Sequence, residues 1–360
     1  MHLNLKIKKC LLLFFFLFFF LFLFLLLFLF LSQWTMSDVR YQNPLSSRFL
    51  TVCQSSGIPP NDDFNNWSRP QTGYGRFQVS SKNGSRVSGA SAFLQPALHR
   101  PNLTVLTGSM VRRIDFGPEN DGGGGDGGNE ARGVFYDLVG DDSGREFNVR
   151  LKPGGEVIVC GGAISSPQIL LASGVGPAED LTGMGIKVVA DRPGVGRNLQ
   201  DHPAVVVSYE TPKAKRGVSV TSKLRVRGTK ISNPLPILRW FLFRSGLLTS
   251  PGCDHGAFVH TTAAVLGEGQ KQQPDLQIRF LAARAVSADG MTTFTQFRNT
   301  RSHPDGYTFQ CVATRARSRG RVRLASSNTH CMPIVVGGYL GDGGGEDLRT
   351  PRGGVRVARG

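Results

Sequence analysis

The residues with the most specific chemistry lie between positions 156 and 174. Glu156-Val157-Ile158-Val159-Cys160 is a short apolar run rich in β-branched residues, which predicts a buried parallel strand. Gly161 and Gly162 follow directly. Ser165 or Ser166 suits a helix N-cap and Pro167 the first helical position, with Gln168 to Ser173 as the helix and Gly174 as its stop. A strand, a glycine turn and a helix N-terminus allow backbone to approach a nucleotide closely. The same text also suits any strand-turn-helix of an α/β protein, so both readings stand at this point.

The elements that must position this stretch are punctuated by Gly and Pro. A chain of 360 residues holds one large or two medium domains. Its net charge is +16 and unevenly spread. Nine Lys or Arg and no acid fall between Thr211 and Cys253, and the tail from Val312 adds nine Arg against three acids. No nucleic-acid motif accompanies that charge, so a solvated basic face or attraction of anionic substrates is the economical reading, with no nucleic-acid partner. The six cysteines form no CxxC pair and no metal spacing, which predicts reduced thiols and no metal site.

Residues 11 to 31 are only Leu and Phe, preceded by Lys6, Lys8 and Lys9. Such a run is long enough to span a bilayer, and a low-complexity translation artefact gives the same composition. Residues 1–36 are therefore read as a hydrophobic leader, a possible membrane anchor or an artefact. From Asp38 the text is globular. Tyr41 to Leu50 runs from a loop into a helix, and Ser91 to Leu98 is a second helix. Leu103 to Thr107, Ser109 to Ile114, Ala131 to Leu138 and Arg145 to Leu151 are expected strands, with a Gly-rich insertion at 117–130. Ala204 to Tyr209 is a strand, Leu235 to Phe243 an apolar helix, and Pro274 to Leu281 alternates as a half-buried strand does. Gly306 to Ala313 and Arg321 to Leu324 complete an antiparallel sheet with one face buried and one open to a substrate.

Two longer strings carry a resemblance. Gly162-Ala163-Ile164-Ser165-Ser166-Pro167-Gln168-Ile169-Leu170-Leu171-Ala172-Ser173-Gly174 resembles one motif of the glucose-methanol-choline flavoprotein oxidoreductases. Pro193-Gly194-Val195-Gly196-Arg197-Asn198-Leu199-Gln200-Asp201-His202 resembles the next block of that family, at the expected spacing. The resemblance implies an α/β chain: a partial FAD-binding, Rossmann-like domain at 37–209, an α+β substrate domain with an antiparallel sheet at 210–325, and a return segment beginning at 326–360. It implies FAD as cofactor, held by Val111, Cys160, Gly161, Gly162, Asn198, Gln200, Asp201 and His202. It also implies a GxGxxG unit ahead of Asp38 and a catalytic His beyond Gly360. Neither is found in the text, so the chain reads as the middle of such a flavoprotein. His255, His260, His303 and His330 lie outside the family's His motif and read as surface or loop histidines.

Within the family, Ser250-Pro251-Gly252-Cys253-Asp254-His255-Gly256 and Pro274 to Arg284 resemble the algal fatty acid photodecarboxylases, as does Tyr41-Gln42-Asn43-Pro44-Leu45-Ser46. That resemblance implies light-driven loss of carbon dioxide from a fatty acid, with Cys253 and Arg279 as the active-site pair and Gln310 in the same pocket. Phe294 falls where a Tyr is expected at a substrate contact, and an insertion near Leu266 to Gln273 stretches the Cys253 to Arg279 spacing. The residues agree in kind: an Arg fork suits a carboxylate, and Leu235 to Leu248 with Phe280-Leu281 suits an apolar tunnel. Taken singly, Arg279 also reads as a structural ion-pair partner and Cys253 as a small buried hydrophobe. The alternatives are an FAD-dependent enzyme acting on alcohols or choline, and an inactive fragment. The resemblance implies a chloroplast location, with membrane anchoring through residues 11–31 as the alternative.

Overall fold

Alternation along the strands and the apolar positions of two helices dictate one main core. The computed structural model describes residues 34–117, 130–141, 143–212, 217–224, 233–261, 273–285 and 305–359. The strands in chain order are β1 (Gly73–Arg76), β2 (Ser81–Lys82), β3 (Ser85–Arg86), β4 (Ser109–Phe116), β5 (Ala131–Leu138), β6 (Phe147–Arg150) and β7 (Val175–Gly176). They continue with β8 (Ala190–Asp191), β9 (Ala204–Glu210), β10 (His255–Val259), β11 (Leu276–Leu281), β12 (Gly306–Ala313), β13 (Arg321–Arg323) and β14 (Ile334–Val336). The principal helices are α1 (Pro44–Ser55), α2 (Gly162–Ala172), α3 (Ala178–Gly183), α4 (Leu235–Phe243) and α5 (Glu346–Arg359).

The largest sheet has five antiparallel strands in the order β1-β10-β11-β12-β9. On β11, Leu276, Ile278 and Phe280 are buried, while Gln277, Arg279 and Leu281 are half-buried on the other face. The buried face is closed by α1 and α5. Phe49 of α1 stacks on Phe280 at 4.9 Å between ring centroids, and Phe309 and Tyr307 complete the aromatic cluster. Gly354 of α5 lies so close to Leu276 and Cys311 that a Cβ there would come within 2.8 Å of the Cys311 Cβ. Asn43 caps α1 through the Leu45 amide at 2.9 Å, and Pro44 takes the first turn, where a missing N–H costs nothing.

A second layer carries the glycine turn. β4, β5 and β6 form a three-stranded antiparallel sheet, and α2 packs on β4. The Ile114 amide donates to Ser173 Oγ at 2.7 Å, and that hydroxyl donates to the Ile169 carbonyl. Gly174 stops α2 at φ +83, where a Cβ would stand 2.3 Å from the Lys187 carbonyl oxygen. Leu171, Leu181 and Leu324 make the small core beneath.

The expected strands at 131–138 and 306–313 are observed with the same bounds, and those at 109–114, 145–151, 204–209 and 274–281 within a few residues. Others differ. Residues 156–160 form no strand and pair with none among the described residues, and Ile158 is 79% exposed. The apolar run predicts a strand only where a neighbouring strand offers its N–H and C=O groups. Leu103 to Thr107 is irregular for the same reason. The helix starts earlier than expected: Gly161 takes the N-cap without a side-chain bond, and Pro167 lies inside α2, leaving the Ala163 carbonyl without its helical donor.

Truncating the stacked ring measures the main core. Phe280→Ala is expected to cost about 3–5 kcal/mol, read as a lower urea midpoint at constant slope, whereas Ile158→Ala on the exposed run changes stability by under about 0.5 kcal/mol. Equal effects at the two positions would refute the burial of Phe280 against the exposure of Ile158.

Candidate functional site

The open face of the five-stranded sheet gathers the chemistry. Side chains directly opposite in antiparallel strands share a face. Arg279 stands opposite Gly256 on one side and Gln310 on the other, and Gln310 stands opposite Val206. One row thus crosses the sheet from Gly256 through Arg279 and Gln310 to Val206. Gln277, two residues before Arg279, lies on the same face, and its Oε1 accepts from Arg279 Nε at 3.0 Å. Among the described residues no hydrogen bond is made by its terminal nitrogens. Among the described residues no carboxylate forms an ion pair with Arg279.

The wall beside Arg279 is aromatic. A Cβ on Gly256 would come within 2.5 Å of the Phe77 ring, so the glycine makes room for it. Phe64, Phe77 and Phe258 pack at centroid distances of 5.1 to 6.0 Å. Cys253 precedes β10 and is half-buried, close enough to feel the charge of Arg279. Burial pushes its thiol up to about 12, the positive charge of Arg279 pulls it down, and Asp254 adds to the rise. Desolvation wins, so Cys253 presents an S–H and not a thiolate.

The loop holding Cys253 is tied at both ends. Ser250 Oγ donates to Asp254 Oδ2 at 2.5 Å and accepts from the Gly252 amide at 3.0 Å. Asp254 Oδ1 lies 2.6 Å from His255 Nδ1, and both side chains are buried. His255 is thus a core residue and not the surface or loop histidine that its position outside the motif suggested. Its Nε2 has no partner among the described residues. His260 is half-buried, with Nε2 3.2 Å from Thr72 Oγ1, whereas His330 is exposed beside Asp137. Phe294 and His303 lie outside the described residues.

The second group of expected residues sits on the other layer. Cys160, Gly161 and Gly162 are exposed at the N-terminus of α2. Gly162 has φ +77, and no atom stands within 4 Å of where its Cβ would be. Val111 lies on β4, beside which α2 packs. Asn198 adopts φ +59, Gln200 is exposed, and Asp201 Oδ1 accepts from the His202 amide at 2.8 Å. Tyr339 donates its hydroxyl to Asp201 Oδ2, which holds that carboxyl below its usual range and raises the tyrosine. Free amides at a helix start, an open glycine and exposed polar side chains fit a dinucleotide such as FAD.

The two groups are joined by short connections. Gln168 of α2 donates to the Cys331 carbonyl at 3.2 Å, while Leu199 and Gly320 exchange backbone bonds at 3.0 and 2.7 Å. The 320–339 segment thereby touches both α2 and the 198–202 block. From His202 the chain enters β9, and Val206 in the Arg279 row is four residues on, roughly 13 Å along an extended strand. Sequence reasoning missed Gln277, the Ser250-Asp254-His255 set and Tyr339. Strand alternation, i to i+2, was the available signal for Gln277.

Leu235 to Phe243 forms the expected helix but lines no tunnel among the described residues: its apolar side chains point outward. Cys53, Cys160, Cys253, Cys311 and Cys331 are free thiols, as the spacing predicted. No group of three metal-ligating side chains occurs among the described residues. Nor is any helix there long and apolar enough to cross a membrane, and residues 11–31 lie outside them.

Comparison with known proteins supplies the context. Residues 34–204 match the family described as GMC oxidoreductase. The chain is 38% identical over 325 residues to the fatty acid photodecarboxylase, chloroplastic, of Chlamydomonas reinhardtii, covering 89% of this chain and 50% of that protein. It is 33% identical over 298 residues to an oxygen-dependent choline dehydrogenase of Brucella ovis, covering 83% and 47%. A crystal structure of formate oxidase superposes with a TM-score of 0.71 at 20% identity, over 90% of this chain and 54% of that one, which supports the fold. The chain spans about half the length of the curated relatives it matches.

The buried thiols give a pH expectation. Burial raises Cys53 and Cys253 to about 12 and Cys311 to about 11, against 9.0 in a free chain. The folded protein holds protons that the unfolded chain releases above 9.0, so this stability is complete below that pH and is lost as pH rises toward 11 to 12. Urea midpoints should fall between about pH 8.5 and pH 11, less steeply in Cys253→Ser. Midpoints that rise over this window would refute the burial of these thiols.

Proposed function

We propose that this chain, which belongs to the GMC oxidoreductase family, serves the light-driven decarboxylation of a fatty acid. The observation that carries the reading is Arg279, half-buried on the open face with Nε tied to Gln277 and no carboxylate partner among the described residues. FAD is the cofactor. Cys160, Gly161, Gly162, Val111, Asn198, Gln200, Asp201 and His202 are the residues proposed to hold it. When bound and excited by light, FAD supplies the one-electron oxidation of the carboxylate.

This chain's own residues do the rest. Arg279 receives the carboxylate on its terminal nitrogens, a geometry that a planar fork matches and an ammonium does not. Gln310, directly opposite on β12, offers a second polar contact. Gln277 fixes the guanidinium plane through Nε. Phe77, Phe258 and Phe64 present an apolar wall to the first carbons of the acyl chain. Cys253 stands nearby as a protonated thiol, so it sets no thiolate beside the Arg279 cation. Phe294 is proposed as a further substrate contact. Overall, RCOOH gives RH and CO2, which needs no external oxidant. The name of the Chlamydomonas relative supports a chloroplast location.

The Brucella relative supports a second reading, FAD-dependent oxidation of an alcohol or choline. One assay separates them. Residues 38–360 replace the corresponding stretch of the Chlamydomonas enzyme, and the chimera receives a fatty acid under blue light or an alcohol in the dark. Light-dependent hydrocarbon, measured by gas chromatography, is the expected result. Arg279→Lys should lower the yield about ten- to hundredfold, the loss of a charge-assisted hydrogen bond. Cys253→Ser should lower the yield while keeping the visible flavin spectrum of the parent. Dark oxidation of the alcohol with no light-dependent hydrocarbon would replace the decarboxylase reading with the dehydrogenase one.

A further inference from the structure

Helix α4 is apolar almost throughout, yet it is not part of a core. Leu235, Ile237, Leu238, Phe241, Leu242 and Phe243 are each between 52% and 70% exposed. With about 3.6 residues per turn, Leu235, Leu238 and Leu242 line one ridge and Ile237 and Phe241 an adjoining one. An open depression of about 460 Å³ runs along the first ridge, rimmed by Arg239 and Ser245. The helix is nonetheless firmly seated. Trp240 Nε1 donates to the Gly84 carbonyl at 2.8 Å, in the turn of the β2–β3 hairpin. The Arg244 guanidinium lies 4.3 Å from the Trp240 ring centre. A helix anchored by one indole, with its other apolar side chains presented outward, is built to bury them against something else.

The surrounding charge identifies the occupant. Arg239 and Arg244 lie on or beside the helix, and the hairpin beneath adds Lys82 and Arg86. None of these four forms an ion pair with a carboxylate among the described residues. In the sequence the helix sits within the stretch from Thr211 to Cys253 that carries nine Lys or Arg and no acid. A second copy of a chain with net charge +16 would bring like charge to this face. A surface combining an apolar interior with fixed negative charge answers both features. We propose that α4 is an interfacial helix that lays its apolar ridges into the headgroup region of an anionic lipid bilayer, with the flanking cations on the lipid phosphates. Nine residues do not span a bilayer, and the helix lies in the interface plane. The proposal does not rest on the decarboxylase reading.

The test must report on α4 itself, because the Leu/Phe run at residues 11–31 has its own affinity for lipid. In the full chain, Phe241→Trp adds an indole on the exposed ridge, and the emission gained over the parent is followed. Vesicles of phosphatidylglycerol with brominated acyl chains should quench that added emission, and high salt should reverse the quenching. Brominated phosphatidylcholine vesicles should quench it much less. Phe241→Glu, at an exposed side chain, should keep the parent's urea midpoint and weaken partitioning into phosphatidylglycerol vesicles relative to the parent, the leader with its Lys6, Lys8 and Lys9 being the same in both. Unquenched added emission in chains that float with phosphatidylglycerol vesicles overturns the proposal. So does equal quenching by both lipids, which removes the charge recognition. A blue shift of the added emission that depends on protein concentration without vesicles also overturns it and assigns the ridge to a second copy.

Discussion

The register of β11 against β12 is the constraint on which the rest depends. Phe280 opposite Phe309 closes the core under α1, and the same register sets Arg279 opposite Gln310 on the far face. A slip of one residue would carry Arg279 into the aromatic cluster and bring Phe280 to the open face. The cost of burying an unpaired guanidinium among Phe49, Phe309 and Tyr307 makes that slip prohibitive. The stacking of Phe49 on Phe280 therefore aims the polar row as well as stabilising the core. Stability and site share a single alternation.

The same logic explains what could be read in advance. Pro274 to Leu281 alternates in the text, and the strand, its buried set and the facing of Arg279 follow from period two alone. Gly306 to Ala313 was legible as a strand, but its burial does not alternate. Residues 156–160 have as good a strand composition, but composition does not contain the partner that would satisfy their backbone, and among the described residues they pair with no strand and leave Ile158 exposed. Pro167 was a reasonable first helical residue, and the chain starts α2 five residues earlier because Gly161 can take the turn without a cap. His255 could not be placed from the text, since its neighbour Asp254 becomes a partner only when the loop returns on itself through Ser250.

The two expected groups of site residues lie on different layers, and the chain joins them by adjacency along its backbone. The 198–202 block is the immediate entry to β9, and β9 is the neighbour of β12. Anything held by the first block is thereby indexed to the row that contains Gln310 and Arg279. The exchange of bonds between Leu199 and Gly320, and the Tyr339 hydroxyl on Asp201, stiffen that entry from the other side. The family motif was legible as a string, whereas these long-range ties, between residues more than a hundred apart, were not.

The electrostatics of the row lead to one further step. Two opposing effects act on Cys253: burial, which favours the neutral thiol, and the charge of Arg279, which favours the thiolate. Burial already prevails with no described residue bonded to the arginine's terminal nitrogens. A carboxylate seated on those nitrogens would cancel the only contribution that lowers the thiol and add a negative charge beside it. Both changes move Cys253 further toward S–H. Occupancy of the site and protonation of its cysteine therefore reinforce each other. The pair combines a permanent cation with a thiol that becomes harder to ionise when an anion arrives. A neutral substrate such as an alcohol would leave the Arg279 charge in place and produce no such coupling, so the thiol's response to ligand is itself a signature of the ligand's charge.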